Sequence, residues 1–193
     1  MSHPKLLFFA GSARTDSLNK KFARCGAKLA QDAGIAATFL DLRDYPLPIY
    51  DGDFEDESGV PENAGKLKEI VEQHDGVFII SPEYNSSIPP LLKNVLDWIS
   101  RVKNDDGSSS AAFKNKPTAL GAVSPGGLGG MRVLIGLRPI IANGYNALVI
   151  PEQISVPGGD KVFDDDGMLT DEKVTQRYIS AIKSLKSVAE RMK

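Results

Sequence analysis

The sequence predicts a doubly wound α/β fold, in which helices cover both faces of a five-stranded parallel sheet. Short apolar runs alternate with amphipathic stretches along the chain, a pattern that is typical of βαβ units. The run VFII at residues 77–80 is apolar at successive positions, which indicates a strand buried on both faces. Five such runs in 193 residues predict one domain, 1–193, most economically with the strand order 2-1-3-4-5.

Local signals define the elements of the first half of the chain. The first helix has apolar residues spaced four, three, four and four apart, and Gly34 is its expected C-terminal cap. The acidic, proline-rich segment 45–61 has no periodicity and is expected to be a loop. We predict strands at 6–10, 35–42 and 76–80, and helices at 18–33 and 62–74.

In the second half, Pro89-Pro90 opens a helix that runs to about Val102, because proline is tolerated in the first helical turn. The polar segment 104–111 is expected to be a loop. Asp171 lies at the expected positive end of the last helix. We predict strands at 117–123 and 147–150, and further helices at 131–142 and 171–191.

Composition excludes several classes of protein. The chain has 23 Lys plus Arg and 25 Asp plus Glu, and the net charge of −2 gives no electrostatic reason to expect nucleic-acid binding. No apolar run reaches the roughly 18 residues of a membrane span, and the N-terminal apolar stretch is shorter than a signal-peptide core. The single cysteine, Cys25, cannot form an intramolecular disulfide. We therefore expect a cytoplasmic protein that binds neither membrane nor nucleic acid.

The loop after the first strand, GSARTDSLN at residues 11–19, predicts a phosphate site. A strand-to-helix turn offers backbone N–H groups and the positive helix end, and Arg14 adds a guanidinium. The loop is neither a Walker A nor a GxGxxG sequence. The alternative is that Ser17 or Asp16 only caps the helix, but capping does not require Arg14 beside three hydroxyls.

The loops after strands three and four lie at the same sheet edge, where doubly wound proteins bind ligands. Prolines stiffen both ends of SPEYNSSIPP at residues 81–90, and Tyr84 and Asn85 could face a planar heterocycle. The alternative is a tight turn with Tyr84 half buried. The third loop, SPGGLGG at residues 124–130, has four glycines. Glycine lets the backbone approach a flat ligand closely, although it also serves ordinary turns.

Other candidate sites carry little chemistry. The only histidines are His3 and His74, both poorly placed for a catalytic relay, and His74 is expected to favour the helix dipole. We expect Cys25 to be inert core and Trp98 to be core or a subunit contact. Residues 164–167 resemble a calcium loop, but Lys173 replaces the expected glutamate, so we predict a surface turn and no metal site.

Taken together, GSARTDSLN, PEYNSSIPPLLKNVLDW and SPGGLGG closely resemble the NADPH-dependent FMN reductase family, which includes quinone, azo-dye and chromate reductases. The resemblance covers essentially the whole chain and implies a flavodoxin-like fold. It implies homodimers or homotetramers and NADPH or NADH as co-substrate. It places the FMN phosphate at Gly11, Ser12, Arg14, Ser17, Leu18 and Asn19. It places the flavin ring at Pro82, Glu83, Tyr84, Asn85 and Ser86, and at Ser124, Gly126 and Gly127.

The resemblance also implies a ping-pong reaction, in which nicotinamide passes a hydride to FMN N5 and a quinone, azo, nitro or metal-oxyanion acceptor then takes two electrons. No catalytic side chain is assigned, because backbone N–H groups near the ring can stabilise the reduced cofactor. A single phosphate loop favours FMN over FAD. Two alternatives stay open: a flavodoxin-like electron-transfer or regulatory flavoprotein without its own NAD(P)H turnover, and a cofactor-free nucleotide-binding module.

Overall fold

The computed structural model describes residues 3–193 and has one five-stranded parallel sheet in the order β2-β1-β3-β4-β5. The predicted fold and strand order are confirmed. The strands are β1 Lys5–Ala10, β2 Ala36–Leu40, β3 Gly76–Ile80, β4 Pro117–Val123 and β5 Leu148–Val156. The helices are α1 Leu18–Asp32, α2 Gly52–Ser58, α3 Glu62–Glu72, α4 Pro90–Arg101, α5 Met131–Pro139 and α6 Glu172–Arg191. Short helical turns at Leu42–Asp44 and Ile140–Gly144 complete the element order.

Two apolar cores lie on opposite faces of the sheet. Alternate side chains of β1, such as Leu7 and Phe9, pack with α3, α4 and α5, whereas Leu6 and Phe8 pack with α1 and α6. Every residue of β3 is buried, as its continuous apolar run predicts. Helices therefore cover both faces of the sheet and leave the ends of its strands uncovered.

The predicted C-terminus of α1 is confirmed. Gly34 has a φ of 73°, its N–H donates to the Gln31 carbonyl, and the Ile35 N–H donates to the Ala30 carbonyl. This pair of bonds is the Schellman motif, which needs a left-handed residue that glycine supplies without strain. Asp171 caps α6 by accepting a hydrogen bond from the Val174 amide.

Several predicted elements differ from the structure. The expected loop 45–61 contains α2, whose first turn is capped by Asp51 and whose Phe54 packs edge-on against Trp98 at 6.2 Å. Strand β2 ends at Leu40, because Asp41 turns the chain by accepting a bond from the Arg43 amide. The helix predicted at 131–142 ends at Pro139, and a wider helical turn follows at Ile140–Gly144.

Strand β5 has nine residues, more than twice the predicted length, and its pairing with β4 contains a bulge. Its register against β4 shifts between Thr118 and Leu120, beside Pro151. The Arg138 guanidinium donates to the carbonyls of Ile150 and Pro151, at 2.8 and 3.4 Å. An arginine from α5 thus satisfies backbone oxygens that the bulge removes from the strand ladder.

Candidate functional site

The three loops singled out in the sequence lie side by side at the carboxyl edge of the sheet. The Gly11 amide donates to the Ile80 carbonyl at 2.8 Å, and the Ser81 amide donates to the Gly121 carbonyl at 2.8 Å. These bonds extend the ladder beyond β1 and β3 and hold the starts of the first two loops in register. The third loop begins at Ser124, whose amide donates to the Val156 carbonyl at 3.1 Å.

The first loop presents a row of open backbone donors. Within residues 3–193, the amides of residues 15–19 donate to no protein acceptor, which leaves them free at the N-terminus of α1. The Ser17 hydroxyl oxygen caps α1 by accepting from the Lys20 amide at 3.3 Å. Ser17 therefore has the capping role of the alternative interpretation, although the remaining amides still form an anion-binding turn.

Arg14 is the exposed cation of this loop, and in the described part of the chain no carboxylate pairs with it. Its own amide donates to the buried Ser12 hydroxyl at 3.3 Å, which curls the loop around its N–H groups. The Arg43 guanidinium binds the Thr15 hydroxyl from the turn after β2. A second arginine thus supports the loop, and the sequence pattern gave no signal for it.

Asn19 has a structural role that the sequence did not indicate. Its side-chain amide donates to the Val123 carbonyl at 2.9 Å, and its side-chain oxygen accepts from the Val123 amide at 3.1 Å. Both groups are buried and lie 104 residues apart in sequence. The Asn19 side chain therefore joins α1 to the end of β4, and only its backbone N–H faces the loop. Leu18 supplies the neighbouring N–H and packs its side chain into the α1 core.

The second loop contains a two-residue turn. Tyr84 and Ser87 exchange both backbone hydrogen bonds at 3.0 Å, and the intervening Asn85 and Ser86 have φ values of 49° and 67°. Two successive positive φ values are characteristic of a type I′ turn, and Asn tolerates this conformation better than most residues. The tight turn of the alternative interpretation is therefore present, and Tyr84 is 50% exposed. Pro82 is buried at the base of the turn.

Glu83 turns its side chain towards α5. One carboxylate oxygen lies 2.7 Å from Arg132 Nε, and the other accepts from the amides of Arg132 and Val133 at 3.1 and 3.3 Å. The Glu83 side chain is only 8% exposed. The second loop is therefore bonded to the helix that follows the third loop.

The glycines of the third loop fall into two kinds. A methyl group at Gly130 would lie 2.5 Å from Ala122 Cβ, and one at Gly129 would lie 2.6 Å from the Pro157 nitrogen. The fold itself requires these two glycines, which also have positive φ. A methyl group at Gly127 would meet nothing within 4 Å, and at Gly126 only the Ser124 hydroxyl at 3.9 Å. Packing within the chain does not explain Gly126 and Gly127.

These features fit an FMN group. Among the helices that begin near these loops, α4 starts with Pro89 and Pro90, which carry no N–H, and Glu83 occupies the first-turn amides of α5. The N-terminus of α1 keeps its open amides and Arg14, a donor set suited to a dianionic phosphate. The exposed turn at 84–87 and the open surface above Gly126 and Gly127 leave room for a flat ring.

A largely buried ion pair connects the first turn of α1, next to the first loop, with the end of β2. Lys20 Nζ lies 2.6 Å from the Asp41 carboxylate, and both side chains are largely buried. Burial alone raises the pKa of Asp41, but hydrogen bonds from Lys20 and the Arg43 amide and the charges of Lys20 and Arg24 outweigh burial. The pKa of Asp41 is held below its usual value.

The remaining candidates lie away from these loops. His74 Nδ1 is 2.7 Å from the Ile70 carbonyl at the end of α3, and His3 is exposed near the N-terminus. Cys25 is a free thiol, 2% exposed, and burial raises its pKa. Trp98 is fully buried. Residues 164–167 form a turn in which the Asp164 carboxylate accepts from the Met168 amide at 2.8 Å. No helix in residues 3–193 is long and apolar enough to cross a membrane.

The sheet order and the loops at its carboxyl edge define a flavodoxin-like α/β protein. The model of the NADPH-dependent FMN reductase family matches residues 4–161, and the chain belongs to that family. It is an oxidoreductase that uses FMN, with NAD(P)H as co-substrate.

The relatives agree with this assignment. A quinone reductase of Pseudomonas putida is 34% identical over 172 residues, which cover 89% of this chain and 86% of the relative. An NADPH azoreductase of Bacillus sp. (strain OY1-2) is 34% identical over 152 residues, 76% of this chain and 79% of the relative. The structure of FerB, a flavoenzyme NAD(P)H:(acceptor) oxidoreductase from Paracoccus denitrificans, has a TM-score of 0.77 and 28% identity, and the match covers 97% of this chain and 98% of FerB.

Proposed function

We propose that this protein is an NAD(P)H:quinone oxidoreductase whose FMN phosphate binds at the N-terminus of α1. The observation that carries the proposal is the row of open amides at residues 15–19 beside Arg14. The hydroxyls of Ser12 and Ser17 lie in the same turn. An anion at a helix N-terminus is stabilised by these donors and by the helix dipole.

The ring of the cofactor would lie between the turn at 84–87 and the loop at 124–127. Asn85 and Ser86 have amides that donate to no acceptor within residues 3–193, and these can bond to heteroatoms at the edge of the ring. Gly126 and Gly127 let the backbone come close to the other edge. Bound FMN supplies the redox chemistry, taking a hydride from reduced nicotinamide and passing two electrons to the acceptor.

A planar, largely apolar acceptor fits the surroundings of this site. Tyr84 and Leu128, on the second and third loops, are 50% and 55% exposed. Exposed apolar side chains beside a ligand site favour contact with an apolar second substrate. The relatives named quinone reductases support a quinone as acceptor, and the azoreductase relative supports an azo compound as the second candidate.

Anaerobic stopped-flow mixing of the FMN-loaded protein with NADPH tests this function. We expect rapid bleaching of the flavin absorbance band and its recovery when a benzoquinone is added. An electron carrier without its own turnover would bleach slowly or not at all. A colourless protein that does not bind added FMN would favour the cofactor-free nucleotide-binding module instead.

Replacement of the loop cation tests the phosphate position. We expect Arg14→Ala to weaken FMN binding by about 1.5–3 kcal/mol, the range for a hydrogen bond to a charged group. Lys28→Ala is the charge-matched control, because Lys28 lies further along α1 and is 57% exposed beside Asp32. FMN titration by fluorescence quenching measures both. Equal affinity of the two variants would remove Arg14 from the phosphate site.

Three further expectations stay predictions. A homodimer or homotetramer is expected, and light scattering on the FMN-loaded protein measures its mass. Chromate reduction and a cytoplasmic location are also expected, and acceptor assays and cell fractionation test them.

A further inference from the structure

The Glu83 side chain joins the second loop to the helix that follows the third loop. Its carboxylate makes two backbone bonds, to the amides of Arg132 and Val133, and a side-chain bond to Arg132 Nε. The side chain is 8% exposed, whereas Arg132 is 55% exposed. The bonds to the backbone are therefore shielded from water, and the ion pair is largely at the surface.

Glu83 acts as the cap of α5. The residue at the cap position is Gly130, which has no side chain and a φ of 85°. A helix N-terminus needs acceptors for its first amides and is stabilised by negative charge. Here both come from a residue 49 positions away in sequence. Gly130 cannot be exchanged for a residue with a capping side chain, because a Cβ would lie 2.5 Å from Ala122 Cβ.

This cap connects the two segments that would face the flavin ring. Glu83 immediately precedes the turn that begins at Tyr84, and α5 begins where the glycine loop ends. A change in the reach of the Glu83 side chain must therefore move one loop relative to the other, or leave the α5 amides without a partner.

We propose that Glu83 is a positioning residue that sets the separation of the two ring-facing loops and shields the ring from the positive end of α5. The inference rests on the proposed function. Loss of the carboxylate would loosen the ring site, and it would also leave the first amides of α5 and the Arg132 guanidinium without their partner. Positive charge near the ring stabilises the anionic reduced form of FMN. The reduction potential should therefore become more positive.

The test compares the FMN dissociation constant and the midpoint potential of bound FMN in wild type, Glu83→Ala and Glu83→Asp. We expect Glu83→Ala to raise the dissociation constant at least fivefold and to shift the potential to a more positive value. Glu83→Asp keeps the charge and the fold but is one methylene shorter, and we expect it to raise the dissociation constant at least twofold. Should Glu83→Ala fail to fold, the aspartate variant still decides the question.

Glu62→Ala is the matched control. Glu62 lies in the first turn of α3 and is 82% exposed, and it lies outside the three loops. The FMN affinity and the midpoint potential of the Glu62→Ala variant should equal those of wild type. Wild-type affinity and potential in both Glu83 variants would overturn the inference alone, as would a lower melting temperature with both flavin properties unchanged. A wild-type protein that binds no FMN would overturn the proposed function and this inference with it.

Discussion

The bond between Asn19 and Val123 gives a prediction about the stability of the apoprotein. Asn19→Ala removes two buried hydrogen bonds, at 2.9 and 3.1 Å, and leaves the Val123 N–H and C=O without partners. Each buried group left unpaired costs about 1–3 kcal/mol, so the free energy of unfolding should fall by roughly 2–6 kcal/mol. This cost is incurred without FMN, because the partner is the backbone of β4.

Urea unfolding of the apoprotein measures the effect, with fluorescence of the single, buried Trp98 as the signal. Gln31→Ala is the control on the same helix, since its side chain makes one exposed bond to the Ala37 carbonyl. We expect that variant to lose less than about 1 kcal/mol. If Asn19→Ala matched the control in stability but bound FMN weakly, Asn19 would be a cofactor ligand and the structural argument would be wrong.

Substitutions at Gly127, Gly130 and Asp41 test the roles assigned to the glycine loop and to the buried ion pair. Gly127→Ala should change the stability of the apoprotein by no more than about 0.5 kcal/mol and should weaken FMN binding. Gly130→Ala should destabilise the apoprotein, because the added methyl group would lie 2.5 Å from Ala122 Cβ. Equal melting temperatures of the two apoprotein variants would contradict this reasoning. Asp41→Asn should lose about 1–3 kcal/mol at pH 7, since it breaks the pair with Lys20. The pKa of Asp41 is lower in the folded state, so its contribution is present above about pH 4 and is lost as pH falls through the folded value. Urea titrations at pH 7 and pH 3 should show the difference from wild type shrinking in acid, and a constant difference would count against this assignment.

Much of the fold could be predicted because its signals are local. The apolar runs of β3 and β4 have the bounds that the sequence predicts, and Gly34 ends α1 through bonds to residues of the same helix. The missed elements depend on distant partners. Helix α2 has only seven residues and packs its Phe54 on Trp98. In β5, the exposed Pro151 and Glu152 interrupt the apolar run and hide the later pairing with β4.

The same distinction holds for the site, where local loop composition could be interpreted from the sequence and contacts between distant residues could not. Loop composition indicated where a phosphate and a ring would bind, since hydroxyls, an arginine and glycines are visible in the sequence. The contacts of Asn19 with Val123 and of Glu83 with α5 join residues 104 and 49 positions apart. Neither residue type reveals such a partner, so the sequence could assign both residues only to the cofactor.

The bulge in β5 limits how copies of this chain can associate. A straight, unpaired border strand invites a strand from a neighbouring molecule, which leads to sheet extension and aggregation. Here Pro151 offers no N–H, and Arg138 already binds the oxygens of two consecutive residues. A recruited strand would meet a bulge that lacks one N–H and whose oxygens already have a partner. This border is therefore a poor template for sheet extension.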